Sequence, residues 1–358
     1  MGESLASRNR PDPPEAVQRS AACYKACPLM PTERSSAPPA STGAAPSAAS
    51  PREVTAAMDA LEAAATSAER GVSVELLGAG VRVLPDAFVG AARLDAAGVR
   101  QRLDRVVMGN DPEQGLDSLL SVGALEALFP EVFAMVGFGD GEWRHKDVWK
   151  HTKQVVRQSV PRLEVRWASL FHDIGKVKTR SISPEGKVHF LGHAEVGTRM
   201  FDKLDRRLPL FASEPTLKST VRFLVLHHLR ANQYEPSWTD SAVRRFAREL
   251  GEHLDDLLCL ARADITTKRP EKRKKGLGQI SELSARITAL AAEDARVPPL
   301  PTGIGDAIVK AFSLPPSPRI GQIKKALEEA VAKGEIAPQL SCEEYVAFVD
   351  ANRARFGM

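Results

Sequence analysis

Histidine is scarce in this chain, and its placement is where chemistry shows first. Of eight histidines, seven fall between positions 145 and 228, and none occurs in the 144 residues before them. At their centre is Ala168-Ser169-Leu170-Phe171-His172-Asp173-Ile174-Gly175-Lys176, an adjacent imidazole and carboxylate that follow an apolar approach and precede a glycine and a lysine. Imidazole nitrogen and carboxylate oxygen suit hard-to-borderline divalent ions, and an ion held by both keeps positions open for water and a phosphate oxygen. His151 lies 21 residues upstream on a separate helical segment, and Asp264 about ninety residues downstream on another. Ligands converging from several helices are a recurrent way to build a metal centre in a bundle.

The elements that must position these residues read as helices. Val54, Met58, Leu61 and Ala65 form an apolar stripe that Gly71 stops. A β-rich stretch, Val72 to Leu84, interrupts the pattern. Stripes resume with Val99, Leu103, Val106 and Val107, then Leu116, Leu119, Leu120, Leu125 and Leu128 up to Pro130. From 145 to 266 the chain reads as consecutive helices. Val243, Phe246, Ala247 and Leu250 make one stripe, and Leu254, Leu257, Leu258 and Ala261 another. Ile323, Ala326, Leu327, Ala330 and Val331 make a last one before Gly334. Alternating runs of strand length are nearly absent, so the expected fold is mostly α.

Composition bounds the function. The chain has 358 residues, 43% of them hydrophobic, with 49 Lys+Arg against 45 Asp+Glu. That apolar fraction belongs to a globular protein. No apolar run approaches the roughly 18 residues of a membrane span, so an integral membrane protein is excluded. The net charge of +4 permits a nucleic-acid partner without requiring one. Four scattered cysteines (Cys23, Cys27, Cys259, Cys342) argue against a disulfide scaffold and fit a reducing, cytoplasmic setting. Residues 1–52 are rich in Pro, Ala and Ser and are read as disordered. The remainder divides into a helical region (53–142), a metal-binding domain (143–275) and a helical C-terminal region (276–358).

The ordered set His151, His172-Asp173, His193, His227-His228 and Asp264 resembles the signature of the HD superfamily of metal-dependent phosphohydrolases. Asp147-Val148-Trp149-Lys150-His151-Thr152, Phe171-His172-Asp173-Ile174-Gly175-Lys176, Phe190-Leu191-Gly192-His193-Ala194-Glu195-Val196-Gly197 and Ala261-Arg262-Ala263-Asp264-Ile265-Thr266-Thr267-Lys268 are together similar to one branch of it. That branch is the HD-containing C-terminal part of bacterial tRNA nucleotidyltransferases (CCA-adding enzymes) and their poly(A) polymerase relatives. The similarity covers roughly residues 96 to 358 and implies an HD-domain helical bundle flanked by a helical neck-like region (53–142) and a helical tail. The polymerising head of that family needs a Gly-Gly turn followed by an Asp-x-Asp pair. Gly78-Ala79-Gly80-Val81-Arg82 has no such pair after it, and Asp140-Gly141-Glu142 has the spacing but stands in the loop before the HD region. The expectation is therefore the body of such an enzyme without its head, unless a head is encoded upstream of the start given.

The chemistry expected is hydrolysis of a phosphate ester by metal-activated water. His151, His172, Asp173 and Asp264 are assigned to one divalent ion, and Asp173 to a bridge toward a second held by His193, His227 and His228. His227 and His228 are neighbours that point about 100° apart on a helix, which leaves open that one of them is a packing residue. One or two ions per chain are expected, drawn from Mn, Ni, Mg, Fe, Co and Zn. Lys176 is assigned a catalytic point charge for the phosphate, with Arg180 and Arg230 as lesser candidates. Lys268 and Arg269 open a basic run, continued by Lys272, Arg273, Lys274 and Lys275, that suits either a solvated helix face or a polyanion track. His145 competes with His151, and the Thr152 context favours His151. His189 and His253 are read as surface or edge residues. The resemblance implies a nucleotide or RNA 3′-end substrate, with tRNA as a partner. The alternative is a tRNA-binding body without hydrolase activity.

Overall fold

The computed structural model describes residues 49–139, 147–295 and 298–358. The segment read as disordered lies outside them up to position 48. So do Cys23, Cys27, Asp140, Gly141, Glu142 and His145.

Among the described residues the protein is almost entirely helical. Helix α1 (Pro51–Arg70) starts at a capping box, in which the Ser50 hydroxyl accepts from Glu53 N–H and the Glu53 carboxylate accepts from Ser50 N–H. It ends at Gly71, whose φ of 66° is the left-handed turn that glycine adopts without a Cβ penalty. Residues 72–84, read as β-rich, form turns and irregular chain instead. Their β-branched residues find no partner strand, and Val83 N–H bonds the carbonyl of Val122. Then come α2 (Pro85–Leu94), α3 (Ala96–Met108), α4 (Pro112–Val122), α5 (Ala124–Leu128) and α6 (Pro130–Phe133). Proline at the first turn of α1, α2, α4 and α6 removes an amide that a helix start leaves unpaired anyway.

Three helices then frame the histidines: α7 (Val148–Gln158), α8 (Leu163–Phe171) and the short α9 (Lys176–Thr179). Every residue of α8 from Val165 to Phe171 is buried, as suits a helix apolar nearly all round. Trp167 and Phe171 sit in an aromatic cluster with Phe129, Phe201 and Phe211, with Trp167 and Phe211 centroids 5.2 Å apart and those of Phe171 and Phe201 5.2 Å apart. Arg166, buried on the same helix, donates to the carbonyls of Val107 and Gly109 at 2.7 and 3.1 Å, satisfying the end of α3. Arg100 of α3 lies over the Phe211 ring at 4.2 Å and pairs with Asp104 at 2.6 Å, tying the early helices to this cluster.

A hairpin interrupts the helical run: β1 (Ser181–Ile182) pairs antiparallel with β2 (Val188–His189), Ile182 opposite Val188. Next are α10 (His193–Arg207), α11 (Pro215–His227), α12 (Asp240–Leu250), α13 (Leu254–Ala263) and the long α14 (Pro270–Asp294). One apolar core runs continuously from Ala57 to Leu290. A second, from Leu300 to Phe356, is built by α15 (Ile304–Phe312), α16 (Pro318–Ala332) and α17 (Cys342–Ala351). Tyr345 anchors it, its hydroxyl donating to the carbonyls of Pro299 and Ala337. No helix among the described residues is long and apolar enough to cross a membrane.

Candidate metal centre

The buried α8 fixes the position of the site. His172 is its C-cap and Asp173 follows directly, each only 1% exposed. Gly175 then admits α10 at backbone distance: a Cβ here would overlap the His193 carbonyl oxygen and lie 2.6 Å from Gly197 N. This close approach brings His193, first residue of α10, to Asp173. His151 comes from α7, His228 from the end of α11 and Asp264 from the C-cap of α13.

Asp173 divides the cluster in two. Its Oδ2 faces His151 Nε2 at 3.4 Å and His172 Nε2 at 3.2 Å, and these two nitrogens are 3.3 Å apart. Asp264 Oδ1 lies 3.0 Å from His151 Nε2 and 3.7 Å from His172 Nε2. On the other side, Asp173 Oδ1 faces His193 Nε2 at 3.5 Å, and His193 Nε2 is 3.1 Å from His228 Nε2. Two groups with ligand atoms close enough to share an ion result, His151–His172–Asp173 and Asp173–His193–His228.

The match to known proteins falls on these helices. The family model described as HD domain matches residues 146–268. Residues 146–268 are an HD domain. The chain is also related to tRNA nucleotidyltransferases. It is 29% identical over 255 residues to the A-adding tRNA nucleotidyltransferase of Deinococcus radiodurans, covering 69% of this chain and 57% of the relative. It is 32% identical over 261 residues to the CC-adding tRNA nucleotidyltransferase of Thermus thermophilus, covering 70% of this chain and 55% of that one. A multifunctional CCA protein of Mannheimia succiniciproducens is 33% identical over 121 residues, 31% of this chain and 28% of the relative. The chain thus spans a little over half the length of the first two.

The HD domain orients its imidazoles by their other nitrogens. Nδ1 of His172, His193 and His228 each lies 2.8 Å from the carbonyl three residues earlier: Ser169, Phe190 and Val225. A carbonyl only accepts, so Nδ1 carries the proton and Nε2 is turned to the centre. His151, inside α7, takes a hydroxyl instead, Thr266 Oγ1 at 2.9 Å.

Electrostatics then test whether a cation fits. Burial lowers the pKa of His193 and takes that of His228 down to about 4, so both rings are neutral near pH 7. Their Nε2 atoms face each other at 3.1 Å, and with Nδ1 of each ring donating to a carbonyl both present acceptor lone pairs when neutral. Beside them Asp173 Oδ1 is buried without a hydrogen-bond partner. Burial would favour the protonated carboxyl. The charge of His172, hydrogen bonds with His151 and His172, and the Lys176 ammonium outweigh it and hold Asp173 well below the usual carboxylate range. Asp264 is only half-buried, and the hydrogen bond from His151 and the charge of His172 outweigh its desolvation and bring it down to about 2. Burial also opposes charge on His151, but Asp173 and Asp264 prevail and raise it to about 9. Buried, convergent, electron-rich atoms of this kind suit a divalent ion.

The other predicted residues stand differently. His227 is outside both groups. It points away from His228, as neighbours at a helix end do, and its ring packs on Phe223 with centroids 4.3 Å apart. His253, read as an edge residue, covers Phe223 at 4.5 Å. Lys176 Nζ is 2.6 Å from Asp173 Oδ2 and 5.6 Å from the Phe190 ring centroid, beside the centre. Arg180 is exposed just past α9. Arg230 pairs with Glu249 and lies over Phe246, held to α12. Lys268 and Arg269 are exposed on the segment joining Asp264 to α14, and the basic run continues exposed to Lys275. Residue type alone does not single out Thr266, or Asn232, whose amide reaches Asp264 Oδ2 at 3.5 Å. Only the motif Asp264-Ile265-Thr266-Thr267 marked the place of Thr266.

Proposed function

We propose that this chain is an HD-type, metal-dependent phosphohydrolase that acts on phosphate esters of nucleotides or RNA ends. The observation that carries the reading is Asp173, a buried carboxylate with one oxygen turned to His151 and His172 and the other to His193 without a hydrogen-bond partner. His151, His172, Asp173 and Asp264 would hold one ion, and Asp173, His193 and His228 a second. A divalent ion bound there polarises a phosphoryl oxygen and acidifies water. The chain supplies the rest. Its carboxylates stay ionised, three imidazoles are fixed by backbone carbonyls, and the Lys176 ammonium at the rim offers charge to an incoming phosphate.

The substrate class we propose draws support from the relatives. The relatives of Deinococcus radiodurans and Thermus thermophilus are A-adding and CC-adding tRNA nucleotidyltransferases, which supports an RNA substrate. The deciding assay is hydrolysis of 2′,3′-cyclic AMP and p-nitrophenyl phosphate with added Mn²⁺, Ni²⁺ or Mg²⁺. Asp173→Asn should lower the rate by about a thousandfold, the equivalent of roughly 4 kcal/mol of barrier, with the fold retained by circular dichroism. Full activity in that variant ends the reading.

A second reading draws on the exposed run Lys268, Arg269, Lys272, Arg273, Lys274 and Lys275. In it the chain is a tRNA-binding body without hydrolase activity. It predicts binding of tRNA with a steep salt dependence by a protein that hydrolyses neither substrate.

A further inference from the structure

Three of the four imidazoles in the centre are oriented by the same device, a carbonyl three residues back in their own chain. Local backbone therefore sets those rings, and they need no distant helper. His151 is the exception. It lies at the first turn of α7, where its N–H bonds the carbonyl of the N-cap Asp147, and its Nδ1 meets the Thr266 hydroxyl at 2.9 Å, across 115 residues of sequence. Thr266 is in turn tied to the opposite ligand, since its own N–H donates to the Asp264 carbonyl at 2.9 Å. A second strut joins the same two helices, as the Gln158 side chain at the end of α7 donates to the Ala263 carbonyl at 2.7 Å.

We infer that Thr266 is a positioning residue for the metal centre, one that fixes the His151 ring and couples it to Asp264. When His151 Nε2 faces an ion, Nδ1–H donates to the Thr266 oxygen, which fixes both the ring plane and the side of the imidazole that carries the proton. Valine matches threonine in shape but offers no acceptor, so the ring loses its orienting partner while packing is kept. Serine restores the oxygen. This assignment rests on the metal-binding reading above and adds to it a residue outside the ligand set.

The test is metal affinity, measured on the full chain by Mn²⁺ competition with a fluorescent chelator. Thr266→Val should weaken Mn²⁺ binding by about 10- to 100-fold, the usual cost of losing a partner that orients a ligand, and Thr266→Ser should recover most of it. The melting temperatures of the three metal-free proteins should agree closely. In a His151→Ala background the Thr266→Val change should cost no further affinity, because the hydroxyl acts only through that ring. Wild-type affinity in Thr266→Val, an undiminished penalty without His151, or failure of serine to rescue would overturn the assignment while leaving the metal centre intact. A wild-type chain that takes up no Mn²⁺, Ni²⁺ or Zn²⁺ overturns the metal reading and Thr266 with it.

Discussion

The Nε2 atoms of His193 and His228 confront each other at 3.1 Å, and each ring donates its Nδ1–H to a backbone carbonyl. Two lone pairs at that distance repel unless a cation lies against both. With Asp173 Oδ1 facing His193 from 3.5 Å, the natural occupant is a metal ion. Elemental analysis of protein purified without a His tag should then find two ions per wild-type chain and one in His228→Ala. His227→Ala should keep both, since its ring packs on Phe223 rather than facing the centre, and should lose only about 1 kcal/mol of stability from that contact. Loss of an ion in His227→Ala with retention in His228→Ala would reverse the assignment.

His151 gives metal uptake a pH dependence. Its pKa of about 9 means that the metal-free ring is charged at pH 7, its proton held by Asp264 and Asp173. An ion at Nε2 must expel that proton. The two carboxylates are already ionised, and His193 and His228 already neutral, so none of these four releases a proton near pH 7. The sign follows: affinity rises with pH until pH approaches 9, and levels off above it. Calorimetry in buffers of different ionisation enthalpy should register about one proton released at pH 7.5 from this ring. Affinity that is flat from pH 6.5 to 8.5 would contradict the charge state given to His151.

Much of this architecture is legible in the residues, and the gaps have physical causes. The stripe from Val54 to Ala65 with its stop at Gly71, and that from Ile323 to Val331, lie on α1 and α16, because amphipathic periodicity and a left-handed glycine are local signals. His151, His172, Asp173, His193, His228 and Asp264 stood out by type and order, since few side chains serve such chemistry. The choice between His227 and His228 did not, as it depends on how far α11 turns before it ends. The two-residue strands of the hairpin are too short for alternation to register, though Pro184 and Gly186 mark its turn. Val72 to Leu84 shows the opposite failure, strand-forming composition with no strand to pair with. Thr266 was invisible because its importance lies in one contact with a residue 115 positions away.

Gly175 is required by close approach rather than by an unusual φ. Its backbone is ordinary right-handed helix, φ −67°, which any residue adopts, but α10 leaves no room for a Cβ. Gly175→Ala must push His193 away from Asp173 or distort α9. We expect a stability loss of about 1–3 kcal/mol in denaturant melts, the cost of overpacking, together with loss of the second ion. A variant that keeps wild-type stability and both ions would show that α10 can shift without consequence for the site.

Lys176 carries the last prediction, because two roles assigned to it pull in opposite directions. As a point charge at the rim it helps hold a phosphate, but at 2.6 Å from Asp173 Oδ2 it also competes for the oxygen that faces His151 and His172. Removing the ammonium frees that oxygen and deletes a repulsive neighbour, so Lys176→Met should bind the first ion more tightly. Its hydrolytic rate should nevertheless fall, by about tenfold or more, since a charge-assisted contact to phosphate of roughly 1.5–3 kcal/mol is lost. Affinity and turnover measured on the same preparation separate the roles. Tighter metal binding with slower hydrolysis fits both, whereas a parallel loss of both would make Lys176 a structural partner of Asp173 and remove it from the chemistry.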